Sequence, residues 1–548
     1  MALGRKRSTL KRNKPPKLSL VVDDEVTNEV LRHRHSKRTL LQIRTSTQST
    51  KYHTARGRSI YWTTDDEMEH EVKVFIRDTE ELQDGRKWDE LISKGVTHLI
   101  IEDNENNLKN IPQQLCGIHT LRSFTLMWSK VRVIPDYLLQ LQLTEFCIHK
   151  CQLKNINGIQ MLSSLVTLEL VNDGLKKLPM EIGEITTLVN LDLTGNHLQT
   201  LPVSISNLQK LKVLKVSGND LSEIPSAVGD IQLLDMLDIS HNHISAIPDQ
   251  IGNLSKLVTM RLSYNQIREL PPSFTKLENL HFLYMGHNQF TEIPSVLGKL
   301  PKIDTLNMVS NKVHTMEVPI EQLTTLLLDK NELEELPQPL FKCDKLEKLS
   351  VQFNKLNSVP AQIARLDRLR ALYIGGNRFS KLPVDICMLN NLRHLVLRGS
   401  MIEDLPSEFD RLENLSMVDI EDTQLDGCFQ FAVKTDGIKG LMEQVVLKRE
   451  LTETEDKDSD SHHGSGRGSS VFDSEDESAT DSEAPDDTSS KPDGHAVPEI
   501  RQEAIELCPT NAKHVRNKVA SIYPWKTRPR TMYPPMDDGD NDVAVDSL

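Results

Sequence analysis

Aromatic side chains are scarce: Phe, Trp and Tyr make up 5% of the 548 residues, against 38% apolar residues overall. A core built with so little aromatic volume and so much leucine suits a repeat array rather than a globular enzyme. No apolar run approaches the roughly 18 residues of a membrane span, and Met1 to Leu10 carries basic charge with no apolar segment behind it. Neither membrane insertion nor secretion is therefore expected. The seven cysteines (Cys116, Cys147, Cys151, Cys343, Cys387, Cys428 and Cys508) are odd in number and lack paired clusters, which favours a reducing compartment. There is no glycine-rich phosphate loop, no Gly-x-Ser-x-Gly turn and no His-Glu-x-x-His, and Gly375-Gly376 belongs to a repeat turn. No catalytic group, cofactor or enzymatic activity is expected.

What the chain does have is a period. The clearest unit reads Leu188-x-x-Leu191-x-Leu193-x-x-Asn196-x-Leu198-x-x-Leu201-Pro202, and its asparagine returns every 23 residues at Asn219, Asn242, Asn265, Asn288 and Asn311. After a step of 20 it returns at Asn331, then at Asn354 and Asn377. Looser copies place Asn104, Ser129, Cys151 and Asp173 before this block and Ser400 and Thr423 after it, for fifteen coils in all. Such a period defines a leucine-rich-repeat solenoid, an α/β horseshoe with a parallel concave sheet.

The leucines five and three residues before the asparagine bracket a short strand whose side chains alternate, so they share one core while the residues between them face outward. A buried asparagine at the following turn must be paired, and its amide can donate to and accept from neighbouring backbone. A ladder of such amides between coils is expected. Proline follows in twelve of the fifteen units, Pro202, Pro225 and Pro248 among them, on a convex return that needs no backbone donor there. Amphipathic helices would show a 3.6-residue period and no proline in every coil.

Composition divides the rest. Residues 1–65 read as a disordered basic arm, because Met1 to Arg58 holds 15 Lys/Arg against 4 Asp/Glu and few apolar positions; a nuclear-localisation or anionic-surface tether and a merely solvated tail both fit it. Within it, Arg58-x-Ile60-x-Trp62 resembles the basic-x-aliphatic-x-aromatic motif by which regulatory subunits dock on protein phosphatase 1. Residues 66–95 read as an N-terminal cap, with Val72, Val74 and Ile76 alternating as a strand and Trp88 to Ile92 as a short helix. The array spans 96–425, and residues 426–450 read as an amphipathic helix over the last coil. Residues 451–548 read as an acidic disordered tail that ends in a basic and aromatic segment around Tyr523-Pro524-Trp525. Ser470, Ser474 and Ser478 each precede an acid by three residues, the pattern of an acidophilic kinase site.

Cys147-Ile-His149-Lys-Cys151 has the look of a metal cluster, but the repeat frame puts Cys151 in the ladder and only Cys147 and His149 on the open face, so no metal is expected. The working surface is then the hollow. Arg261, Tyr264, Phe282, Tyr284, His287, Phe353, Tyr373 and Arg398 set aromatic beside basic groups, the residue types that interface hot spots favour. Glu169, Asp192 and Asp238 make the amino-terminal part of the groove acidic. A folded protein is the expected partner, with no nucleic acid and no membrane span, and the chain is expected to be monomeric.

The unit with Leu-Pro-x-x-Ile-x-x-Leu, as in Leu178-Pro179-Met-Glu-Ile182 and Ile247-Pro248-Asp-Gln-Ile251, resembles the intracellular Ras-group leucine-rich repeat proteins: soc/sur-type Ras–Raf scaffolds, the Ras suppressor and Scribble-type polarity proteins. The resemblance covers about residues 96–423. It implies a non-enzymatic signalling scaffold, cytoplasmic or nuclear, that holds a small GTPase or phosphatase on its open face. A substrate-recruiting or regulatory subunit of a ubiquitin ligase or of protein phosphatase 1 is the alternative.

Overall fold

Fifteen short strands, one per coil, stack side by side in the order of the sequence. The computed structural model describes residues 59–64, 71–77, 79–103 and 108–460. A 17-stranded sheet runs through them. It starts with β1 (Ser59–Thr64), antiparallel to β2 (Glu71–Ile76), which is parallel to β3 (His98–Glu102), the first strand of the array. From there every pairing is parallel, to β19 (Met417–Asp419). Strand β1 occupies part of the stretch that composition assigns to the basic arm: the cap begins with a hairpin.

The register is the sequence period made physical. Asn190, Leu191 and Asp192 lie opposite Val213, Leu214 and Lys215, a shift of one unit. Leu188, Leu191, Leu193 and Leu198 are all fully buried, and Leu201 is nearly so. On the convex side each proline precedes a short 3₁₀ turn: Pro179 is extended (φ −70°, ψ 152°), and its carbonyl accepts the amide N–H of Ile182 at 3.2 Å. Successive turns pack so closely that a Cβ on Gly229 would fall 2.2 Å from the Gln250 carbonyl oxygen, which explains a glycine there.

The asparagines form the expected ladder. Asn265 accepts from the Ile244 N–H in the preceding coil (3.0 Å) and donates to the carbonyls of Ile239 (3.0 Å) and Leu262 (3.0 Å). The same three bonds recur at Asn196, Asn219, Asn242, Asn288, Asn311, Asn331, Asn354 and Asn377. Asn104 lies outside the described residues. Among the described residues of that turn its neighbour Asp103 is buried, and it accepts from the Leu108 N–H (2.7 Å) and the Thr79 hydroxyl (3.1 Å), tying the first coil to the cap.

The 20-residue coil between Asn311 and Asn331 gives up its 3₁₀ turn. Its β14 (Thr315–Met316) pairs in parallel with β12 (Glu292–Ile293) of the preceding coil, which keeps its own 3₁₀ turn at Ser295–Lys299. The concave strands and the ladder continue across the gap without change.

Both ends are covered. At the start, Trp88 and Leu91 of helix α1 (Gly85–Ser93) enter the core, and the Trp88 indole N–H donates to the Leu82 carbonyl at 2.9 Å. At the end lies helix α2 (Gly427–Asp460), two helical pieces joined at Gly437, whose φ of 65° breaks the run. Phe429, Leu441 and Val445 close the core. Arg449 makes two hydrogen bonds to the Asp410 carboxylate (3.0 and 3.2 Å) and one to the Ser407 carbonyl (3.0 Å), and Lys448 reaches Asp404 at 2.7 Å. The helix is thus fastened to the last turns as well as packed on them.

Asn265→Ala is expected to destabilise the array by about 2–3 kcal/mol in urea unfolding, because the buried Ile244 N–H loses its partner. The Ile239 and Leu262 carbonyls keep bonds from Asn242 and Asn288 and contribute less to the loss. A cost below ~0.5 kcal/mol would show that the amide is replaceable.

Candidate functional site

The hollow face is built by the strand residues that alternate with the buried leucines. Arg261 ends β10 (Thr259–Arg261), and Phe282 and Tyr284 bracket β11 (Phe282–Tyr284), with Arg261 opposite Tyr284 in register. The Arg261 guanidinium lies 5.2 Å from the Tyr284 ring centre, and its buried Nε has no hydrogen-bond partner among the described residues. A second group sits four strands further on, roughly 19 Å away at the usual strand spacing. There Lys348 lies 5.4 Å above the ring of Tyr373, the last residue of β17 (Ala371–Tyr373). Arg398 is occupied by Glu421 (3.2 Å) and Asp422 (3.3 Å).

Three residues expected in the hollow lie elsewhere. Tyr264, His287 and Phe353 each immediately precede a ladder asparagine, where the chain turns with positive φ (57°, 54° and 53°), so their side chains line the turn that follows the strands. The same left-handed turn takes glycine at Gly195, Gly218, Gly376 and Gly399. His241, Tyr264 and His287 stack there in consecutive coils, with ring centres 4.1 and 3.9 Å apart and planes 14° and 9° from parallel. Burial, helped by Lys330 and His241 nearby, holds the His287 imidazole below its usual pKa. Tyr264 is 46% and Phe353 59% exposed, so the aromatic material forms an edge stripe beside the hollow as well as a patch within it.

The acidic set is partly satisfied within the chain. Asp192 pairs with Lys215 at 3.1 Å, and Asp238 is buried and accepts from the Ser240 N–H (3.1 Å) and hydroxyl (2.6 Å). Glu169 meets His149 Nε2 at 3.1 Å. Together with the Cys147 thiol these two side chains bring three metal-ligating atoms within 4.8 Å of one another, a grouping not anticipated from Cys147, His149 and Cys151 alone. Cys151 turns inward instead, its Sγ 3.1 Å from the Ser129 hydroxyl. The 22-residue step from Cys151 to Asp173 was the available signal, since it sets Glu169 directly opposite Cys147.

At this end the ladder changes its chemistry. The Asp173 carboxylate replaces an amide: Oδ1 accepts from the Cys151 N–H at 2.8 Å, while Oδ2 is buried without a partner among the described residues. Burial pushes the Asp173 pKa up to about 7, against the lowering effects of the Cys151 N–H and of His149. Arg58, Ser470, Ser474 and Ser478 lie outside the described residues, while Ile60 and Trp62 fall on β1.

Comparison with known proteins agrees with the geometry. The family description "Leucine-rich repeat region" matches residues 120–241 and 234–327, and "Leucine rich repeat" matches 321–379. Among solved structures, the chain is similar to a leucine-rich-repeat protein of Leptospira interrogans (28% identity, TM-score 0.51, covering 60% of this chain and 79% of that one). It also shares its fold with a chain of the Drosophila Toll–Spatzle complex (19% identity, TM-score 0.56, covering 70% of this chain and 56% of that one). No curated protein matches the sequence. The fold is the leucine-rich-repeat solenoid, and residues 120–379 are leucine-rich repeats by family description as well as by geometry. Such repeats are typically non-enzymatic modules for protein–protein interaction. Among the described residues no helix is long and apolar enough to cross a membrane.

Asp173→Asn supplies the missing donor at a position where the native carboxylate must lose its charge or hold it buried. A carboxyl whose folded pKa is raised binds its proton more tightly than in the unfolded chain, so its contribution falls as pH rises from about 4 to about 7. The variant is therefore expected to gain about 1–2 kcal/mol over the native chain at pH 8, shrinking towards pH 5. Thermal melts at both pH values check it, and a pH-independent difference would rule it out.

Proposed function

We propose that the protein is a non-enzymatic scaffold in intracellular signal transduction whose concave face grips a folded protein, a small GTPase or a phosphatase subunit. The observation that carries this reading is the Arg261–Tyr284 pair: a guanidinium over an aromatic face, in a hollow, with a buried Nε donor that no group among the described residues satisfies. Arg and Tyr on a desolvated surface are what binding hot spots use, and an unpaired donor costs free energy until a partner supplies an acceptor. The fifteen strands of the array form an arc of about 70 Å, long enough to embrace a domain. The Leu-Pro-x-x-Ile unit supports placement beside the Ras-group repeats. The six described cysteines are free thiols, which fits a reducing cytoplasm or nucleus.

A second reading, recruitment of protein phosphatase 1 through Arg58, Ile60 and Trp62, is favoured by the position of β1. Among the described residues it pairs with β2 alone, and peptide-like strand addition uses such an edge.

Affinity capture from cytosol with the intact chain and with Arg261→Ala/Tyr284→Ala/Tyr373→Ala separates these readings. The scaffold reading expects the triple variant to lose its main partner, with at least about 2 kcal/mol lost for a hot-spot side chain, while a chain trimmed of residues 1–58 and 461–548 retains it. The same partners on the triple variant as on the intact chain would remove the hollow from consideration.

A further inference from the structure

We propose that Cys147, His149 and Glu169 form a binding site for a single zinc ion on the concave face. Cys147 and His149 lie two residues apart on β5 (Glu145–His149), so the strand's alternation points both side chains into the hollow. Glu169 belongs to β6 (Thr167–Val171) and lies directly across from Cys147. The cluster is thus made by a fixed sheet register rather than by a loop.

The distances suit the ion. All three donor atoms lie within 4.8 Å of one another, and His149 Nε2 is 3.1 Å from Glu169 Oε2. Tetrahedral zinc, with bonds of about 2.0–2.3 Å, sets its ligand atoms roughly 3.3–3.8 Å apart. Side-chain rotations close the difference without moving the backbone. A thiolate with an imidazole selects zinc over magnesium or calcium, which take oxygen ligands.

The surroundings favour a dication. Glu145, on the same strand, and Glu169 both face the thiol; with burial as the larger cause, they hold the Cys147 proton on well above the usual thiol range in the free protein. An arriving zinc ion reverses that balance: the S–H bond breaks, the proton leaves to solvent, and the thiolate sulfur becomes a ligand. Three protein ligands leave the fourth position to water, or to a group of whatever molecule lies in the hollow. Cys151, engaged with Ser129 in the ladder, takes no part.

The reduced, metal-free full-length protein is titrated with Co²⁺, followed by Zn²⁺ in the presence of a competing chelator. The site expects one equivalent of Co²⁺ with a sulfur-to-cobalt charge-transfer band in the near ultraviolet, bleached by Zn²⁺. Cys147→Ser removes the band and Cys151→Ser leaves it. His149→Gln and Glu169→Gln each weaken Zn²⁺ by at least the roughly 10–100-fold that even outer-shell changes cost. Far-ultraviolet circular dichroism confirms that each variant is folded; should Cys147→Ser fail to fold, the two Gln variants decide. A missing band, a band that survives in folded Cys147→Ser, or unchanged Zn²⁺ affinity in both Gln variants overturns the proposal.

Discussion

One buried amide per coil, in the nine coils from Asn196 to Asn377, carries the regular part of this architecture. A three-residue strand such as Asn190–Asp192 makes too few backbone bonds to hold its neighbours in place, and the turn after it leaves an N–H and carbonyls pointing into an apolar interior. Asn196 resolves both problems by bonding the Leu175 N–H and the Leu170 and Leu193 carbonyls at once, stitching two coils through one side chain. Because the Leu193 carbonyl also accepts from Asn219, and the pattern repeats up to Asn377, each asparagine rung shares an acceptor with the next. The result is quasi-one-dimensional: each coil is held by the one before and the one after.

The repeat and its register were legible because they depend on periodic burial, which leucine spacing records directly. Leu191 and Leu193 cannot both be buried on a strand unless Asp192 faces out, so the sequence dictates the sheet. The candidate surface was legible only in part. Alternation set Arg261 and Tyr284 opposite one another on neighbouring strands, but Tyr264, His287 and Phe353 fall where the chain turns left-handed, and no spacing rule reveals that a bulky residue will accept a conformation glycine prefers. The cluster of Cys147, His149 and Glu169 depends on a contact between residues 22 positions apart, which the step from Cys151 to Asp173 records but a reading confined to one strand does not. Asp103 escaped notice for a similar reason, since the frame points to its neighbour Asn104.

The two ends of the sheet are chemically unlike. Toward the amino terminus the ladder passes through Ser129, Cys151 and Asp173, rungs that make fewer bonds than asparagine and leave the Asp173 Oδ2 unpaired. Strands are longer there, five residues in β5 and β6 against three in β10 and β11. Added backbone pairing offsets the weaker rungs, so a part of the array with an imperfect ladder remains ordered while its open face carries thiol, imidazole and carboxylate side by side.

The 20-residue coil separates two design variables that the other coils keep together. It drops a whole 3₁₀ turn from the outer arc, yet the inner strands keep their pairing and Asn331 keeps its bonds. Outer contour length is therefore a free parameter here and inner geometry is not. A protein engineer wishing to graft an extra loop, tag or domain onto this horseshoe has a natural splice point near Glu317–Pro319, on the outside of a coil that already tolerates non-standard length and out of the way of whatever sits within the curve.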